Sequence, residues 1–146
     1  AGSAVGAEWK QGVHLAVAAA ARALGEDPRS WTLTIKHSTY TNFTEGSSAS
    51  SAVAVGIMAA WLGDPVRSGM VLTGVVTPDG QIGEVGALPS KLEGAALARM
   101  HTMLVPKGQA QTEEWDLYQQ ASQKNMTVVE VASLLEAYEL MTGKKP

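Results

Sequence analysis

The chain has 146 residues, 45% of them hydrophobic and 17% charged, with a formal net charge of −3. That length points to one domain able to bury a real core, and its 11 scattered basic residues form no stripe for nucleic acid. The absence of cysteine excludes a disulfide framework, a cysteine-ligated zinc and a thiol nucleophile, and it fixes no compartment.

The first residues, AGSAVGAEWK, lack a charged region followed by an apolar core, so they are not an intact signal peptide. Cytoplasmic placement is expected over export. The missing initiator Met fits a mature or excised piece of something longer. Glu8 to Leu24 reads as a helix on the spacing of Val13, Leu15, Ala16, Ala19, Ala20 and Leu24, stopped by Gly25 and Pro28. Trp31 to His37 alternates as a half-buried strand, and Ser38 to Ser48 is a polar loop. Ala49 to Leu62 is apolar nearly all round and is expected to be a central buried helix, ended by Gly63-Asp64-Pro65. Neither it nor Val13 to Leu24 approaches the roughly 20 apolar residues of a membrane span, so no membrane partner is expected.

Gly69 to Thr77 reads as one buried strand. Pro78-Asp79-Gly80 is a tight turn, and Gln81 to Val85 pairs back as a hairpin. Pro89 to Met100 is a second apolar helix, with Pro89 suited to its first turn. Thr102 to Val105 is a short strand ended by Pro106. Thr112 to Lys124 reads as an amphipathic helix whose start, Glu113-Glu114-Trp115-Asp116, supplies an acidic first turn. Thr127 to Val131 is a strand or strand-like turn and Ser133 to Met141 a final helix. Strands alternating with helices make the class α/β or α+β.

Chemistry concentrates at Glu45-Gly46-Ser47-Ser48-Ala49-Ser50, ahead of the most apolar helix. A serine there is ordinarily a helix cap. The same place offers free N–H groups and a positive helix end to an oxyanion, but a nucleophile also needs a base. The histidines are His14, His37 and His101. Gly46 to Ser50 misses the last glycine of G-x-S-x-G, and only His101 follows Ser48, so a Ser-His-Asp site is disfavoured. No lysine has a serine three residues before it, so S-x-x-K is absent. A lysine base must lose two to three units from its ordinary pKa of roughly 10.4. Lys91 is suited to this, lying among Leu88, Leu92 and Ala95 in the first turn of a helix whose positive end disfavours an ammonium, although an exposed surface lysine is the ordinary reading of such a residue taken alone.

Together these residues resemble the Lon peptidase domain. That family has D-G-P-S-A-G around its nucleophile, a T-G-E strand end, G-x-V-x-x-I-G-G-L-K-E-K ending in its lysine, and a later V-I-I-P. Here stand Glu45 to Ser50, Leu72-Thr73-Gly74-Val75, GQIGEVGALPSK from Gly80 to Lys91, and Met103-Leu104-Val105-Pro106, in one ungapped frame. Pro65-Val66-Arg67 matches too. Ser48 and Lys91 lie 43 positions apart, the family's spacing. The match runs from Gly46 to Pro106, and the ends fit loosely.

The resemblance implies a single Lon-type proteolytic domain over residues 1–146, with small mixed sheets packed by helices. It implies a serine endopeptidase in which Ser48 attacks the scissile carbonyl and Lys91 takes its proton. Thr73 would orient Lys91 or is a plain strand residue, and the backbone N–H of Ser47 would help receive the oxyanion. Glu45 either controls access to Ser48 or solvates the loop. Polypeptides are the implied substrates, and the implied partners are five further copies in a six-membered ring, or an ATPase or other domain absent from this chain. No cofactor or metal is implied, and Asp79-Gly80 reads as a turn rather than a metal loop.

Ser47, Ser50 and Glu45 replace the pattern's Pro, Gly and Asp, which related branches tolerate. Val75 replaces the acid of T-G-E, and Pro89-Ser90 replace K-E, which puts regulation in doubt. The family's leading β-hairpin is not visible before Glu8, and no Walker A motif occurs, so no ATPase is expected in this chain. A second reading stands beside the peptidase: a catalytically silent Lon-like domain used for assembly or binding. Retention of Ser48, Lys91 and Thr73 together favours the peptidase.

Overall fold

A computed structural model describes residues 3–31 and 47–146, with side chains described from residue 10 onward in the first helix. The expected strand Trp31 to His37 beyond Trp31, most of the polar loop, His37 and Glu45 lie outside the described residues. Helix α1 spans Ser3–Leu24, beginning five residues before the periodicity suggested, and Gly25 follows it with φ 69°. Helix α2 spans Ser50–Leu62 and packs on α1. Alanines make the close approach: Ala16, Ala19 and Ala20 of α1 and Ala54 of α2 are all buried at the contact.

Three parallel strands form the main sheet in the order β1 (Met70–Leu72), β4 (Thr102–Pro106), β5 (Thr127–Val131). Met70 lies opposite Thr102 and Leu72 opposite Leu104, and β5 continues the register with Val131 opposite Pro106. Successive side chains point to opposite faces, which divides the molecule into two cores. Leu72, Leu104 and Val131 face α1, α2 and α5 (Leu134–Thr142). Met103, Val105 and Val128 face α3 (Leu88–Leu97) and α4 (Leu117–Ser122). Each fully buried Leu, Val or Met contributes about 1.5–3 kcal/mol, so both faces of the sheet are substantial cores. A separate hairpin, β2 (Val75–Val76) with β3 (Ile82–Gly83), places Val76 and Ile82 in the first core.

Four expectations are corrected. Gly69 to Thr77 is not one strand: β1 and β2 belong to different sheets, and the chain changes sheet at Thr73-Gly74. A Cβ on Gly74 would overlap the Ile82 side chain, so glycine permits the crossing. Helix α2 is not buried all round; it emerges at its C-terminal end, where Trp61 is 52% and Leu62 41% exposed. The helix expected over 112–124 shortens to Leu117–Ser122. Thr112 Oγ1 accepts from the N–H groups of Glu114 and Trp115, making a turn ahead of the helix, and Asp116 is the N-cap, accepting from Gln119 N. Helix α3 ends at Leu97, three residues early, and Arg99 follows with φ 63°. The final helix follows the pattern closely, with Ser133 capping it through Glu136 N. No helix among the described residues is long and apolar enough to cross a membrane.

Candidate active site

Residues 47–49 form a single 3-10 turn that leads into α2. The N-cap position falls on Ala49, which has no side-chain capping bond, so Ser48 does not occupy the cap that its residue type suggests. Three bonds attach this turn and the start of α2 to the segment after β1. Gly74 N donates to Ser48 O at 2.9 Å, Ser51 N donates to Gly74 O at 3.2 Å, and Val76 N donates to Ser50 Oγ at 2.9 Å. The turn and the start of α2 are thereby fixed to Gly74 and Val76, beside Thr73. Thr73 N in turn donates to Leu104 O at 3.1 Å, extending the β1–β4 pairing by one residue.

Lys91 arrives from the opposite face of the sheet, in the first turn of α3, where its N–H donates to Ala87 O at 3.1 Å. Its Nζ lies 3.3 Å from Ser48 Oγ and 3.4 Å from Thr73 Oγ1. Both separations exceed the ~2.9 Å of an ordinary N–H···O bond, and catalytic contacts are commonly long before substrate tightens them. Ser48 and Thr73 are buried and Lys91 is half-buried. The three side chains meet just beyond the C-terminal end of β1, the part of a parallel sheet where crevices form. The arrangement suits proton exchange between an amine and a hydroxyl in a partly desolvated place, beside two positive helix ends.

Ser47 is half-buried next to Ser48. The histidines that are described stand elsewhere: His14 is exposed on α1, and His101 contacts Thr102 Oγ1 at 2.8 Å and Ser68 O at 3.2 Å. Asp79 meets Thr77 Oγ1 within its turn. No group of three metal-ligating side chains occurs among the described residues. Two polar side chains with positional roles escaped the sequence reading. Ser50, noted only as a departure from glycine, accepts from Val76 N. Gln109, buried at 7% exposure, exchanges two hydrogen bonds with the backbone of Val85. In both cases the partner is a main-chain group more than twenty positions away, and no spacing rule marks such a pair.

A family model described as the Lon protease (S16) C-terminal proteolytic domain matches residues 16–141. The chain is 31% identical over 104 residues to a Lon protease of Neorickettsia sennetsu, covering 70% of this chain and 12% of that protein. It is 29% identical over 101 residues to an archaeal Lon protease of Archaeoglobus fulgidus, covering 69% and 16%. It is 27% identical over 97 residues to a mitochondrial Lon protease homolog of Yarrowia lipolytica, covering 66% and 8%. The chain therefore spans less than a fifth of the length of these curated relatives.

Proposed function

The chain belongs to the Lon protease S16 C-terminal proteolytic domain family, and from that premise we propose that it is a serine endopeptidase working through a Ser48–Lys91 dyad. The observation that carries this reading is the convergence of Lys91 Nζ on Ser48 Oγ at 3.3 Å and on Thr73 Oγ1 at 3.4 Å, from three separate elements.

In the proposed reaction neutral Lys91 accepts the Ser48 hydroxyl proton as Oγ bonds to the scissile carbonyl carbon. The resulting oxyanion is received by backbone N–H groups near Ser48, with that of Ser47 among them. Collapse breaks the C–N bond, and the Lys91 ammonium returns the proton to the leaving amine. This leaves a Ser48 ester and a neutral lysine. Lys91 then takes a proton from water, the hydroxide attacks the ester carbonyl, and Ser48 departs with the proton restored to it. Thr73 Oγ1 holds the amine in line throughout.

Protein substrates belong to the same proposal, with either assembly into a ring or an ATPase or other domain outside this chain, and Glu45 either controls access to Ser48 or solvates its loop. The test is digestion of casein by the parent, Ser48→Ala and Lys91→Ala, each as the single chain and as part of its longer or assembled form. The reading predicts cleavage by the parent and at least a ~1,000-fold loss in either variant. Variants as active as the parent would overturn the dyad. A parent inert in every form would leave the silent assembly module in its place.

A further inference from the structure

We propose that Gln109 is a positioning residue for Lys91, acting through the backbone of Val85; the inference rests on the dyad reading above. Between β3 and α3 the chain runs through residues 84–87. Val85 N donates to Gln109 Oε1 at 2.9 Å, and Gln109 Nε2 donates to Val85 O at 2.7 Å. One side-chain amide thus supplies both bonds that a neighbouring strand residue would supply in a ladder. The brace is itself anchored. Gln109 N donates to Pro106 O at 3.1 Å at the end of β4, and Trp115 Nε1 donates to Gln109 O at 2.7 Å.

Two residues beyond Val85, Ala87 has φ 57° and ψ 32°, a left-handed conformation that costs a residue with a Cβ about 1–3 kcal/mol. Such a conformation persists only where its surroundings fix it on both sides. Leu88, fully buried, fixes the far side, and the Val85–Gln109 pair fixes the near side. Ala87 sets the direction in which α3 begins, and its carbonyl accepts the Lys91 N–H. The body of α3 is held independently by Leu92 and Ala95 in the second core. Loss of the brace therefore acts on the first turn of the helix, and so on the Lys91 amine, more than on the fold.

Gln109→Met keeps the length of the side chain and removes both bonds. In a crystal structure of that variant the Lys91 Nζ to Ser48 Oγ separation should lengthen to about 4 Å or more, outside hydrogen-bond reach. Peptide hydrolysis should lose roughly 10–100-fold in kcat with KM unchanged. Gln109→Glu gives a signature that a general weakening of the fold does not. Its ionised carboxylate accepts from Val85 N but cannot donate to Val85 O, whereas the protonated acid does both. Its kcat relative to the parent should therefore fall as pH rises through the introduced carboxyl's titration, and this variant carries the test if Gln109→Met does not fold. A Gln109→Met structure with Lys91 still 3.3 Å from Ser48, or a pH-independent ratio for Gln109→Glu, would overturn the proposal. A parent without hydrolytic activity would sink the dyad reading, and the variant's crystal structure would still decide the positioning claim.

Discussion

Neither Ser48 nor Lys91 is distinguished by residue type, since serines cap helices and lysines solvate surfaces. Their shared frame with Thr73, Gly80, Gly86 and Pro106 singled them out in the sequence, and the folded chain places the Ser48 and Thr73 hydroxyls within 3.4 Å of the lysine amine. Thr73→Val keeps the shape and removes the oxygen facing Lys91; peptide hydrolysis should fall roughly tenfold or more in kcat, with Thr73→Ser close to parental. Away from the site, burial and then the hydrogen bond to Asp64 push the Tyr138 hydroxyl up to about 12 from an ordinary 10. The folded state thus holds this proton where the unfolded chain releases it. The associated stability is complete below about pH 10 and is lost as pH rises toward 12. Urea unfolding at pH 8 and pH 11 should show this loss in the parent, and Tyr138→Phe should reduce the difference.

Among the elements, α1, α2, α3, α5, β4 and β5 were legible, α1 from its spacing and α2 and β4 as apolar runs closed by glycine or proline. The pattern missed the break at Gly74, since Met70 to Val76 is apolar except at Thr73 and Gly74 and a run so largely apolar does not reveal a change of sheet. The break is what lets Thr73 end one sheet while Val76 bonds to Ser50 at the start of α2. Gly74→Ala should destabilise the protein by about 1–3 kcal/mol by forcing a methyl against Ile82, read by urea unfolding, and should lower hydrolysis in the folded fraction. The acidic run ahead of α4 was misread because Glu113 and Glu114 resemble a first turn, whereas Thr112 bonds their neighbourhood into a turn and Asp116 takes the cap. Ser133 did follow its helix-start signal, and Ser133→Ala should cost about 1 kcal/mol in the same assay.

At the scale of the molecule, a three-stranded parallel sheet separates two cores, and the candidate site forms where α2 from one face and α3 from the other reach the end of β1. Both cores must be intact for the lysine to meet the serine. Leu104→Ala in the first core and Leu92→Ala in the second should each cost about 2–5 kcal/mol by chemical denaturation. The α/β class could be read from strands alternating with helices; the parallel pairing of β1, β4 and β5 and the distribution of two cores about them could not, because these depend on which strands pair and which face each turns to which helix. Ring assembly and an unfolding partner are not written in a chain that spans 8–16% of these relatives. The central claim concerns one oxygen atom, Ser48 Oγ, and acid-quenched mass spectrometry of the protein during turnover of a peptide ester reads that atom directly. The account predicts a single acyl group on the peptide containing Ser48, absent from Ser48→Ala and Lys91→Ala. Turnover with the acyl group on another residue, or undiminished turnover in Ser48→Ala, would contradict it.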